Sequence, residues 1–252
     1  MKINFEKIWD KFDKEIPNLI ERDRARQGTT NLNMLTIRGD TPDHKGYPLE
    51  DFKTYSEDKK IKVVFKHLDI ELHQRLDKAN VVVGCVAWLT DKGVLNKLAR
   101  KQGVSIIVQK EDFLRPDLNP EKDWVKNLRE SYEAIPGFED RKDFYENLSI
   151  CGEPGIASVR CVGNYNHDKA QTMPRMHHKF LVFGNSIDDW YEVWTGSYNI
   201  TRNADSSFEN AVIISDKNIV NSYLMEYRQI LALSEPLDWE TSWVNPEWRI
   251  GT

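Results

Sequence analysis

The residues best suited to chemistry lie in the C-terminal half. His177, His178 and Lys179 head the apolar run FLVFG, and Gly196, Ser197, Tyr198 and Asn199 follow the run WYEVWT. Side chains two positions apart on an extended backbone share a face, which sets His177 beside Lys179 and Ser197 beside Asn199. An imidazole, an ammonium, a hydroxyl and a carboxamide together suit a phosphate. Cleaving a phosphodiester takes donors aimed at the non-bridging oxygens and a nucleophile that tolerates the developing charge. Lys179, Ser197 and Asn199 supply the donors. A neutral imidazole can attack phosphorus, and a second, protonated one can deliver a proton to the leaving oxygen. Glu209 heads the next strand and is the best candidate to accept the other ring proton and fix the tautomer. Either motif alone is an ordinary strand start or turn; the ordered pair carries the inference.

The elements that must position these groups follow from periodicity. Phe5, Ile8, Trp9, Phe12, Ile16, Leu19 and Ile20 recur at helical spacing, so an amphipathic helix is expected at the N-terminus, followed by a polar, turn-rich stretch to about residue 60. From residue 61 the chain alternates strand IKVVF, helix HLDIELHQRLDKA, strand NVVVGCVAW, helix DKGVLNKLARKQ and strand GVSIIVQ. That order predicts β-α-β structure with strands buried on both faces. Gly103 is expected to end the helix before it. Residues 113–148 read as an insertion, a lid on the sheet, with Trp124, Leu128, Tyr132 and Ile135 forming one stripe of a helix. Strands return at ASVRCV, HKFLVFG, WYEVWTG and FENAVIIS, and Asp216 should cap a last helix carrying Val220, Leu224, Tyr227 and Leu231. A tail with Trp239, Trp243 and Trp248 closes the chain.

The composition bounds the rest. With 252 residues, 40% of them apolar and 30% charged, the chain suits a globular α/β domain, residues 61–252, preceded by an extension, residues 1–60. No run is long enough to span a membrane and the N-terminus carries no secretory pattern, so a cytoplasmic protein without stable membrane association is expected. Cys85, Cys151 and Cys161 lack metal-ligand spacing, and His44, His67, His73 and His167 show no ligand spacing with carboxylates or cysteines. No metal and no cofactor are expected. The net charge of -5 gives no general attraction for nucleic acid, which leaves polyanion binding to a local rim of Arg160, Lys169, Arg175 and Arg202. Arg175 and Arg202, nearest the motifs, are the expected substrate contacts.

His177-x-Lys179, the apolar strand behind it, Gly196-Ser197-x-Asn199 and then Glu209-Asn-Ala-Val-Ile-Ile resemble the signature of the phospholipase D superfamily. The stretch from Leu68 to Gln109 is similar to the first unit of that fold, so the likeness spans roughly residues 61 to 233. The resemblance implies a mixed, mostly parallel sheet flanked by helices on both faces. It also implies a metal-independent phosphodiesterase, most simply a nuclease acting on DNA or RNA, since the compact single-motif members are the nearest in pattern. Because the chain holds a single motif, the resemblance implies a homodimer in which two copies of His177 face each other, one as nucleophile and one as acid. Phospholipid hydrolysis is the alternative, and a phosphate-binding module without turnover is another. Residues 1–60 are available for contact with a partner protein. One departure stands out: the family pattern continues His-x-Lys-x4-Asp, and Gly184 occupies the aspartate position.

Overall fold

The computed structural model of the chain describes residues 51–114, 123–139, 144, 146–148, 150–151, 157–163, 175–237 and 249–250. The expected N-terminal helix, His44, His167, Lys169 and the tryptophan tail lie outside the described residues. Ten strands are described: β1 (Thr54–Tyr55), β2 (Ile61–Val64), β3 (Val81–Val86), β4 (Gly103–Gln109), β5 (Ile150–Cys151), β6 (Val159–Val162), β7 (Lys179–Ser186), β8 (Asp189–Gly196), β9 (Ala211–Ile214) and β10 (Arg249–Ile250). The helices are α1 (Leu68–Lys78), α2 (Lys92–Leu98), α3 (Asp123–Glu133) and α4 (Lys217–Leu233). Eight strands form one sheet in the order β1-β2-β9-β8-β7-β3-β4-β6, while β5 and β10 pair separately.

The class is α/β, with a mixed sheet and helices on both faces, as the sequence predicts. The balance of strand directions is different. Only β3–β4 and β4–β6 pair parallel; the other neighbours in the large sheet are antiparallel. Parallel neighbours need a crossover, which α2 supplies between β3 and β4, whereas β7 returns into β8 through a tight hairpin at Ile187 and Asp188. A second correction concerns β2. It leads through α1 into β3, yet β9, β8 and β7 lie between them in the sheet. The sheet also begins earlier than residue 61, because Thr54 and Tyr55 pair with Val63 and Lys62.

Alternation in the strands divides the core. Val82, Val86, Val104, Ile106, Leu181, Phe183 and Trp194 face α1, α2 and α3. Val81, Val83, Cys85, Ile107, Phe180, Val182 and Val193 face α4, which contributes Val220, Leu224, Tyr227 and Leu231. Asp216 caps α4 as predicted, accepting from the backbone N–H groups of Asn218 and Ile219. Gly103 has another role than the expected helix cap: Ala99 is the cap of α2, and Gly103 opens β4, where an added Cβ would stand 2.4 Å from the Phe138 ring. Cys85 and Cys161 are buried.

Where β2 meets α1, Glu71 holds three cations. Its carboxylate lies 2.6 Å from Lys53 Nζ, 2.5 Å from Lys62 Nζ and 3.5 Å from Arg75 Nη2, and Arg75 Nε reaches Glu192 at 3.1 Å. Burial pushes the Glu71 carboxyl up, but Lys53 and Lys62 outweigh it and hold it below the usual carboxylate range. Removing one partner from a buried pair strands the others. Glu71→Ala is therefore expected to destabilise the fold by about 3–5 kcal/mol in urea unfolding.

Candidate active site

Five strand ends meet at one edge of the sheet. β3, β4 and β8 finish there and β7 and β9 begin there, so Trp88, Glu111, Ser197, His177 and Glu209 are drawn from distant sequence to one place. Val86 pairs with Lys179, and Ala87 N–H donates to His178 O at 2.9 Å, which sets His177 beside Trp88 with ring centroids 5.7 Å apart, edge to face. Trp88 Nε1 in turn donates to Glu111 Oε1 at 2.9 Å. The loop after β3 is tied to the segment after β8 by Thr90 N–H, which donates to Ile200 O at 2.8 Å.

Lys179 folds back on His177. Its Nζ lies 3.2 Å from His177 Nε2 and donates to His177 O at 3.0 Å. With Lys179 charged, and so a donor only, this contact calls for the lone pair on Nε2, which in a neutral ring puts the proton on Nδ1. The electrostatics agree. Burial, then the cations Lys179 and Arg175, hold the His177 imidazole below its ordinary value, with Glu111 opposing them. Burial likewise lowers Lys179, against the pull of Glu209. A neutral imidazole lone pair and a cation thus share one point at the surface.

The second motif is arranged differently from the expectation. β8 ends at Gly196, whose φ is +153° and whose added Cβ would meet Asn210 O at 2.2 Å, so only glycine lets β8 and β9 approach this closely. Past that point strand alternation no longer applies. Ser197 is exposed and engaged: its N–H donates to Asn210 Oδ1 at 3.1 Å, its Oγ accepts from Asn210 N–H at 3.0 Å, and its hydroxyl donates to the Glu209 carboxylate. Glu209 is therefore committed to Ser197 rather than to the His177 ring, on which the acting carboxylate is Glu111. Asn199 lies half-buried, and its Oδ1 is shielded from water without a hydrogen-bond partner. Lys179 keeps a third N–H for a ligand, and Asn199 lines the cleft beside it only in part, its Oδ1 lying below the surface.

A cleft of about 650 Å³ opens here. Trp88, Phe113 and Trp124 line it, together with Asn199, Thr201, Asn203 and the carboxylates of Glu111 and Glu209. Of these, Trp88, Glu111, Phe113 and Trp124 were not singled out as site residues from sequence. Their signal is positional, since Trp88 and Glu111 stand just beyond the carboxyl ends of β3 and β4, where open α/β sheets place ligands. Arg175 and Arg202 are exposed. Arg160 is not part of that rim: it is fully buried, with Nε on Ser234 Oγ and Nη2 on Ser234 O, both at 2.8 Å. His178 points to the opposite face, 3.1 Å from Glu226 of α4. Trp194 and Tyr198 are core residues.

Gly184 is explained by packing. It pairs with Val81, whose side chain belongs to the α4 face, so a side chain at 184 would point away from the cleft. An added Cβ would stand 2.8 Å from Trp190 Cε3 and 2.9 Å from Val81 Cγ2. Restoring the pattern with Gly184→Asp is expected to lower stability by about 3 kcal/mol or more, read as a reduced thermal midpoint, because it overpacks the site and buries a carboxylate.

Residues 80–231 match the family described as "Cardiolipin synthase, PLD-like domain". The chain belongs to the phospholipase D-like family. That places it among phosphodiesterase-type enzymes. The chain is 31% identical over 199 residues to uncharacterized protein L381 of Acanthamoeba polyphaga mimivirus, which covers 73% of this chain and 69% of that relative. Two solved structures are also similar. NucT from Helicobacter pylori covers 70% of this chain and 98% of its own, at 11% identity and a TM-score of 0.48. Nuc from Salmonella typhimurium, described as a phospholipase D family member, covers 72% and 98%, at 14% identity and a TM-score of 0.45. Among the described residues of this phospholipase D-like chain, no group of three or more His, Cys, Asp or Glu side chains is placed to hold a metal. No described helix is long and apolar enough to cross a membrane.

Proposed function

We propose that the chain is a metal-independent phosphodiesterase that cleaves nucleic acid through a phosphohistidine, in an active site shared by two copies. The observation that carries this is Lys179 Nζ at 3.2 Å from the lone pair of His177 Nε2. A non-bridging phosphate oxygen can take the place of that lone pair as the ammonium's acceptor, which frees Nε2 to face phosphorus. In the first step the Nε2–P bond forms and the P–O bond to the leaving group breaks, with the leaving oxygen taking the proton of the partner subunit's His177. In the second, water attacks phosphorus, the N–P bond breaks, and the water proton passes to the partner's His177, which is then ready for another cycle. Lys179 and the Asn199 carboxamide hold the charge on the non-bridging oxygens.

The homodimer reading comes from the signature occurring once: His-x-Lys leads into an apolar strand and Gly-Ser-x-Asn only at His177, the scheme uses two imidazoles at one phosphorus, and one copy of the signature brings one. Arg175 and Arg202 would draw the polyanion in despite the net charge of -5. The test is hydrolysis of labelled oligonucleotides, phosphatidylglycerol vesicles and bis(p-nitrophenyl) phosphate in excess EDTA. Oligonucleotide cleavage in EDTA is the expected result. Cleavage confined to the vesicles would favour a lipid phosphodiesterase. Turnover by a strict monomer in sedimentation would overturn the shared site.

A further inference from the structure

We propose that Trp124 and Phe113 form a stacking platform for an unpaired nucleobase beside the His177–Lys179 pair, directing the enzyme to single-stranded nucleic acid. The proposal rests on the nuclease reading above. Trp124 is 50% exposed, although its helix buries Val125, Leu128 and Tyr132. The largest apolar side chain of α3 is thus turned from the core into a polar cleft, an unusual place for it in a soluble domain. Phe113 lies against it, with ring centroids 5.5 Å apart and planes at 42°. Both line the same cleft as Trp88, whose ring stands 5.7 Å from that of His177. The platform is fixed in place: Tyr132 Oη donates to Leu89 O at 2.6 Å and pins α3 to the end of β3.

The composition of the cleft selects the occupant. Its lining joins three aromatic rings, Trp88, Phe113 and Trp124, to a polar wall of amides, hydroxyls and carboxylates that includes Thr201, Asn203, Ser207 and Glu209. A lipid acyl chain would leave that polar wall unsatisfied. A base presents a π face to the tryptophan and polar edges to the polar groups of the lining, and only an unpaired base has its π face free.

The test uses His177→Ala as a binder without turnover. Titrating it with a short single-stranded oligonucleotide should quench tryptophan fluorescence and show binding at least about tenfold tighter than for the matching duplex. Adding Trp124→Ala should weaken single-strand binding about tenfold or more, and Trp124→Phe should restore most of it. With His177 intact, the ratio of oligonucleotide to bis(p-nitrophenyl) phosphate turnover should fall by a similar factor on Trp124→Ala. Equal affinity for single strand and duplex, or binding indifferent to Trp124→Ala, would overturn the platform while leaving nuclease activity standing. Trp124-dependent single-strand binding without oligonucleotide cleavage by the wild type would do the reverse. Competition by phosphatidylglycerol vesicles with no oligonucleotide binding would overturn both.

Discussion

Replacing His177 with alanine is expected to reduce phosphodiester turnover by about 10⁴-fold or more, since the change removes the nucleophile and, in a shared site, the acid as well. His177 is exposed, so the loss should come with little change in the thermal midpoint. The pH profile gives a second readout. Burial and the cations Lys179 and Arg175 lower the His177 pKa from 6.5, so the ring stays neutral and nucleophilic at neutral pH, and the acidic limb of kcat/KM should lie below pH 6.5. The alkaline limb belongs to the imidazole that must stay protonated, and the two limbs report the coupled pair rather than either ring alone. A profile without an acidic limb would remove the neutral imidazole from the mechanism.

Lys179→Ala is the second large effect, with an expected loss of about 10²–10³-fold in kcat, the scale for removing one donor aimed at a developing oxyanion. It carries a distinct signature. Lys179 is a cation that holds His177 down, so without it the imidazole rises and the acidic limb moves to higher pH. Lys179→Arg keeps a positive charge but replaces a compact point donor with a planar fork, and partial recovery is expected. A variant that loses activity with an unmoved profile and a lowered thermal midpoint would show Lys179 acting through the fold.

What could be read from sequence and what could not divide along physical lines. The β3-α2-β4 unit and the Asp216 cap were legible because each depends on neighbours within a few residues: buried apolar runs, a helical period, a side chain capping its own helix. The His177-x-Lys179 pair was legible for the same reason, as two residues on one face. The Ser197 to Asn199 stretch was only half legible, since the close approach at Gly196 ends the strand and turns Ser197 toward Asn210 and Glu209. Residues that act at a distance were hidden. Glu111 meets Trp88 and influences His177 only once β3, β4 and β7 lie side by side. Arg160 read as a surface cation because Ser234, 74 residues further on, is what buries it. Gly184 stood out only as a departure from the family pattern, and the sheet directs that position at Trp190 and away from the cleft.

The central claim is a covalent bond between His177 and phosphorus, and intact-protein mass spectrometry tests it most directly. Wild-type protein is mixed with an oligonucleotide substrate in excess EDTA, quenched in alkali to preserve a phosphoramidate, and digested for mapping. The expected result is an added mass equal to the phosphoryl-bearing substrate fragment, carried on His177, absent from His177→Ala and lost as product accumulates. Full turnover under those conditions with no adduct on His177 would contradict it.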